Sequence, residues 1–437
     1  MDKTIKESIW ESTVQLPEFE SLNSNKKTDV LIIGGGIAGI LTAYFCHING
    51  IDYILAEKDR ICSENTKNTT AKITYQHGLV YEKIANSYGV EGAKQYFSVN
   101  KAAFGQYAAL CEKIKCDYEI KDNYVYSLND RAKLEAEMKI LEKIGCDAEF
   151  CENPPLPLKT VGAVKVPFQA QFHPLKFIKE ICNGLNIFEH THIQSVKGNK
   201  AFTDLFTVEA QRIVFATHFP FIDLYGFYPL KLYQHRSYVL ALENAAQVDG
   251  MYVDESDNGL SFRNYGKYLL LGGGDHRTGK KGGNWDELRN FAYRSYPFAT
   301  EKYSWSAQDC MSLDSIPYIG RYSPSKPNWY VMTGFNKWGM TGAMVAAMLV
   351  CDIITGQERL DAEIFTPSRS ILHKQLFINA AETVVNMLSL TPKRCSHLGC
   401  ALKWNKSEHS WDCACHGSRF TQDGKVINNP ANKNIKM

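Results

Sequence analysis

Apolar positions along this chain come in short blocks, and glycines mark many of the breaks. Asp29–Ile33 is a brief apolar run that reads as a strand, and it stops at once at Gly34-Gly35-Gly36-Ile37-Ala38-Gly39. Apolar residues then return at helical spacing (Ile40, Leu41, Tyr44, Phe45), and Asp52–Ala56 reads as a second strand ending at Glu57. The pattern predicts a strand–turn–helix–strand unit of about thirty residues. Val90–Leu110 and Arg131–Ile144 pattern as helices, and Asn153–Pro157 breaks the chain. Ala163–Phe172, Tyr233–Leu242 and Leu260–Leu271 pattern as strands, the last running into Gly272–Gly274. From Trp329 the strand, glycine turn and helix recur. Residues 366–390 form a connector with helical spacing over Leu376–Leu388, and residues 1–27 are a polar, aperiodic arm.

The first glycine block has the chemistry of a dinucleotide site. Gly34, Gly36 and Gly39 supply G-x-G-x-x-G: a tight turn, a close backbone approach to a pyrophosphate, and a helix packed against its strand. The helix opening at Ile37 and Ala38 directs free N–H groups and a positive dipole end at the phosphates. Glu57 stands where an acid accepts hydrogen bonds from a ribose. An ordinary glycine turn is the rival, but strand, helix and acid all agree on the site. The motif alone does not separate FAD from NAD; the second glycine unit, with Gly334, Gly339 and Gly342, favours FAD. His276 and Arg277, after Gly272–Gly274, either reach a substrate carboxylate or flavin edge or lie in a solvated loop.

Bulk properties narrow the class. A chain of 437 residues exceeds one hydrophobic core and predicts two or three domains. The formal net charge of +2 makes no electrostatic case for nucleic acid or an acidic membrane surface. The most apolar stretch, Ala343–Ile354, is too short to span a bilayer and carries Asp352. The first residues lack the apolar core of a signal peptide, so a cytoplasmic location is expected. Most of the cysteines are scattered and read as reduced, packed thiols. Cys395, Cys400, Cys413 and Cys415 are instead crowded near the C-terminus.

That cluster contains two halves, Cys395-Ser-His397-Leu-Gly-Cys400 and Cys413-Ala-Cys415-His416-Gly417-Ser418. Two thiolates and two imidazoles suit zinc. Zinc fingers, however, place both cysteines in one half and both histidines in the other, whereas each half here mixes the two. Each half also holds an extra cysteine.

Two families are resembled. Thr333-Gly-Phe-Asn-Lys-Trp-Gly-Met-Thr-Gly342, with Asp314–Gly320 and Arg212–Thr217, resembles the D-amino-acid oxidase superfamily, which includes glycine and sarcosine oxidases. The resemblance covers residues 28–365. It implies FAD, bound by segments near 28–80, 190–220 and 310–365, with Met340 and Thr341 joining the glycines and Glu57, and with a substrate domain between the segments. It also brings Asn68–Ile73 beside the flavin, so Lys72 is either a partner of the ring's N1–C2=O edge or a surface lysine. C-S-H-L-G-C, C-A-C-H-G-S-R-F and the later Asp423–Ala431 resemble the Rieske proteins. This second resemblance implies one 2Fe–2S cluster with Cys395 and Cys413 on one iron and His397 and His416 on the other. It further implies a disulfide between Cys400 and Cys415. The residues before Cys395 pattern as helix, not strand, so only a truncated cluster-binding subdomain, 391–437, is expected. Such a segment is too small for a core of its own and must lean on the flavin body.

The expected fold is an α/β FAD-binding Rossmann-like domain, an interleaved mixed-sheet substrate domain, and a small β/loop Rieske subdomain. The expected function is a dehydrogenase. It oxidises a small amine or amino acid and passes electrons singly through the cluster to an external acceptor, which a protein could provide. The alternatives are a reductase with electrons flowing from cluster to flavin, and a non-catalytic electron carrier or redox sensor.

Overall fold

The structure, a computed structural model, describes residues 4–222, 225–256, 258–357 and 359–436. Its first sheet is built on the strand Lys26–Ile33. Val30 and Ile32 enter one core, and Leu31 and Ile33 enter another on the opposite face. A continuous apolar run is what a strand covered on both faces requires. Thr207–Phe215 and Tyr53–Ala56 flank it in parallel, and the sheet continues through Lys326–Thr333 to Tyr318–Ser323 on one side and Ile187–Phe188 on the other. The helices Ile37–Ile48 and Gly339–Thr355 pack together on one face. Both begin at the glycine turns read from the sequence, so the two turns meet at one end of the sheet.

The second sheet is mainly antiparallel. Its order is Thr300–Met311, Tyr233–Glu243, Tyr268–Arg277, Ser261–Tyr265, Met251–Asp254, Glu119–Ser127, Gly162–Gln171 and Lys72–Ile73. The expected single strand Leu260–Leu271 is a hairpin that turns at Gly266, where φ is +54°. The glycines 272–274 lie within its second strand, so His276 and Arg277 sit on a strand and not in a solvated loop. The expected helix from Val90 begins earlier, at Val80, and is broken by non-helical backbone at Gly89. The N-terminal arm is pinned: Ile9 and Trp10 are buried, and the Trp10 indole N–H donates to the Thr69 carbonyl at 2.7 Å.

A third, four-stranded antiparallel sheet, Leu402–Asn405, Ser410–Cys413, Arg419–Phe420 and Val426–Asn428, carries the cysteine–histidine loops. Four of the seven buried residues of its small core are Cys395, Cys400, Cys413 and Cys415. The helix Lys374–Leu388 joins it to the body. No helix among the described residues is long and apolar enough to cross a membrane.

Candidate functional site

The two glycine turns open onto a cavity of about 650 Å³, lined by Gly34, Gly36, Ile37, Ala38, Glu57, Gly339 and Met340, among others. Gly34 has φ +112°, and a Cβ there would come within 2.9 Å of the Ala216 carbonyl oxygen, so no other residue fits. A side chain at Gly39 would strike the Gly34 carbonyl, which keeps helix and strand close. At Gly36 a Cβ would meet only Thr66 Oγ1, at 3.5 Å, and would otherwise project into the cavity. That free backbone edge fits a pyrophosphate. Glu57 accepts hydrogen bonds from the N–H groups of Gly35 (2.6 Å) and Asp59 (3.0 Å) and faces the same cavity. Gly334, Thr341 and Gly342 stand behind the wall. The Thr341 hydroxyl donates to the Thr74 carbonyl at 2.7 Å, and Gly342 makes room for the Phe335 ring.

Lys72 lines the cavity and is buried, not at the surface. Burial and the neighbouring Arg263 guanidinium push its ammonium down to about 7. His77, which the sequence did not single out, stands in the same wall, stacked on Trp338 with centroids 5.0 Å apart. Burial lowers its pKa to about 3, so the ring is neutral. Lys337 pairs with Asp275 at 2.6 Å at the cavity edge. Among the described residues no arginine lines the cavity.

His276 and Arg277 are not in the cavity wall. His276 stacks on Tyr238 within the second sheet, with ring planes 15° apart. Arg277 turns toward the third sheet, where its guanidinium donates to the carbonyls of Ala414 (3.0 Å) and Cys415 (3.2 Å) and to Asn379 Oδ1 (2.8 Å). It clamps the second cluster loop instead of a substrate.

The two cluster loops converge. The His397 and His416 rings lie with centroids 4.9 Å apart, and the buried Cys395 and Cys413 thiols hydrogen-bond each other. Two thiols and two imidazoles brought together are a donor set that fits a 2Fe–2S cluster. The expected Cys400–Cys415 disulfide is not formed, since all the cysteines are free. The Cys400, Cys413 and Cys415 sulfurs lie within 4.8 Å of one another, and Cys413 hydrogen-bonds both of the others.

The docking of these loops joins the two sites. The strand Thr207–Phe215 runs on through Ala216, Thr217 and His218, which line the cavity, to Phe219. The Phe219 ring stands edge-on to both imidazoles, 6.3 Å from His397 and 6.2 Å from His416. His218 Nε2 donates to Gln234 Oε1 at 2.7 Å, and Gln234 in turn packs against Gly417, beside His416. Gln308 Nε2 donates to the Gly417 carbonyl at 2.9 Å, and Asn429 Nδ2 donates to the Phe219 carbonyl at 2.8 Å. Farther out, Glu408 is buried between Arg236 and Arg419 and also accepts from the Tyr238 hydroxyl at 2.8 Å. Nothing local in the sequence announced Phe219, Gln234, Gln308 or Glu408. Each acts through a partner far along the chain.

Comparison with known proteins agrees with this two-part arrangement. Residues 29–353 match the family described as FAD dependent oxidoreductase, and residues 364–437 match the Rieske [2Fe-2S] domain. The chain is 32% identical to YhfW of Bacillus subtilis strain 168, whose name includes "Rieske 2Fe-2S iron-sulfur protein"; the alignment covers 100% of this chain and 98% of that one. The cluster region alone is 44% identical over 43 residues to the cytochrome b6-f complex iron-sulfur subunit of Synechococcus sp. strain JA-3-3Ab, covering 10% of this chain and 25% of that protein. In fold, the chain is similar to glycine oxidase from Geobacillus kaustophilus (TM-score 0.67, 17% identity, 79% of this chain and 100% of that one). It is also similar to L-proline dehydrogenase from P. horikoshii (TM-score 0.65, 16% identity, 79% and 98%).

Proposed function

This chain belongs to the FAD dependent oxidoreductases and ends in a Rieske [2Fe-2S] domain, and from that premise we propose that it oxidises a small amine or amino acid and delivers the electrons singly, through the cluster, to an external acceptor. The observation that carries the reading is the segment 216–219: its first three residues line the cavity, and its last ring touches both histidines of the cluster loops. When bound, FAD accepts an electron pair from a substrate, and a Rieske cluster accepts one electron at a time.

In this reading Gly34, Gly36, Ile37, Ala38, Gly339 and Met340 form the dinucleotide cradle, and Glu57 meets the ribose. Lys72, whose ammonium titrates near 7, would hold or release a proton at Nζ in the cavity wall. Cys395 and Cys413 would hold one iron of the cluster, and His397 and His416 the other. Phe219 excludes water between the imidazoles and the cavity wall. Arg277, Gln308 and Asn429 fix the cluster loops in register with the body through their bonds to Ala414, Cys415, Gly417 and Phe219. The substrate class is taken from the amino acids named for the structural neighbours. A cytoplasmic setting accords with the free thiols.

The test is anaerobic addition of a panel of amines and amino acids to purified protein, followed by absorbance and electron paramagnetic resonance. Flavin bleaching followed by the appearance of a reduced cluster is expected. A flavin that no small molecule bleaches, but that a reduced protein donor does, would reverse the direction of flow.

A further inference from the structure

The helix Lys374–Leu388 is built inside out. Asn379 and Asn386 are its buried residues, and its inward side is mainly polar, with Leu376 half-buried among Asn379, Glu382 and Asn386: Asn379 accepts from Arg277 at 2.8 Å, and Glu382 pairs with Lys280 at 2.6 Å. Its outward side is apolar. Phe377 is 67% exposed, Val385 59% and Leu388 75%, and Leu390 just beyond is fully exposed. Positions 377, 381, 385 and 388 follow helical spacing, and each is apolar. Ile378, Val384 and Met387 widen the stripe. A surface helix of a water-soluble body ordinarily shows the opposite arrangement, and an exposed apolar patch of this kind marks an interaction site.

We infer that this helix docks the protein onto a membrane surface rich in anionic lipid. Two further observations decide the occupant. The first is continuity: Phe227 and Leu230, also exposed, belong to the turn and short helix that pack beside it, and Leu398 is exposed in the first cluster loop. The second is charge. In the adjoining cluster subdomain Lys403, Lys406, Lys433 and Lys436 are exposed, whereas Glu408 and Asp412 are consumed in buried ion pairs and Asp423, its surface acid, pairs with Lys425. Lys374 opens the helix one turn before Phe377 and Ile378. An apolar stripe beside lysines is how an interfacial helix meets acyl chains and anionic headgroups together.

A second copy of the chain fits less well. Two such faces would bring like charges together. Because Arg394 hydrogen-bonds the carbonyls of Asn386 and Met387, docking the helix carries the cluster loops to the membrane with it. The inference rests on the helix and its charged surroundings, not on the proposed reaction.

The experiment uses full-length protein loaded with both cofactors, sedimented with vesicles of phosphatidylcholine alone or mixed with phosphatidylglycerol. Binding to the mixed vesicles is expected, weakened by added salt. In Phe377→Asp/Leu388→Asp it should fall by at least about tenfold, with flavin content and the cluster spectrum unchanged because neither side chain is buried. Protein that stays in solution with both vesicle types overturns the inference. So does a double variant that binds as tightly as the parent, since lysines alone would then suffice. A parent that forms dimers dissolved by the same substitutions, without binding vesicles, assigns the face to a second copy instead.

Discussion

Gly36 borders the cavity, and Glu408 ties the cluster subdomain to Arg236 and Tyr238 of the second sheet. At Gly36 the space a side chain would take is the space of the cavity itself, with Thr66 Oγ1 its nearest protein neighbour at 3.5 Å. Gly36→Val should therefore fold normally and purify without flavin; a yellow protein with one flavin per chain would remove the dinucleotide from this turn. Burial alone would raise the Glu408 carboxyl, but Arg236 and Arg419 hold it well below the carboxylate range. Its folded pKa is thus lower than the unfolded value of about 4.3. The stability it contributes is complete above that value and is lost as pH falls below it. Glu408→Gln leaves the Arg236 guanidinium without its carboxylate and Arg419 with Asp412 alone, a loss of about 3 kcal/mol or more for a buried pair. Hydrogen exchange in residues 400–430 should accelerate in the variant at neutral pH, and in the parent only in strong acid. Equal exchange in both proteins at neutral pH would show that the ion pair contributes nothing to docking.

At the scale of elements, the cluster subdomain depends on what it leans against. Its strands are two to four residues long, and its core is largely cysteine. Its firmest contacts are with the second sheet, through Arg236, Arg277 and Gln308. A segment of fewer than about fifty residues with so little apolar burial lacks an independent core. The isolated peptide 391–437 should give a collapsed, poorly dispersed NMR spectrum without metal. The chain shortened to residue 390 should keep its flavin and lose its iron. A well-dispersed spectrum from the metal-free peptide would mean that the small sheet folds unaided.

Across the whole molecule, the placement of Phe219 and His218 between cavity and cluster loops makes a separable prediction. His416→Ala removes one of the two imidazoles that would hold the cluster, and the cluster should be lost with it. Flavin bleaching by substrate should persist in stopped flow, because the cavity wall is untouched, while steady-state reduction of a one-electron acceptor should slow at least tenfold, about 1.4 kcal/mol in the barrier. Unchanged turnover in the cluster-free variant would take the cluster off the electron path. Iron and sulfide analysis of the parent comes first: about two irons per chain are expected, and zinc in their place would exclude a redox role for these loops.

What could be read in advance was whatever the chain encodes locally. The glycine turn at 34–39, the acid at 57, the late glycine turn and the two cysteine–histidine loops each lie within a few residues, because a backbone turn or a chelating loop is a short-range device. The hairpin at Gly266 is easily read as one strand because apolar residues stand on both sides of it, yet Arg263, Asn264, Gly266 and Lys267 interrupt them at the turn. The roles of Arg277, Gln308, Glu408 and Phe219 depend on partners far away in sequence, and no local period records such contacts. The near-neutral total charge of +2 likewise concealed a basic subdomain, because a sum over the chain discards position. The same holds for the helix Lys374–Leu388. Its spacing announced a helix, but an amphipathic pattern does not say which face turns inward. Arg277 and Lys280 drew the polar face in, and only the folded body could decide that.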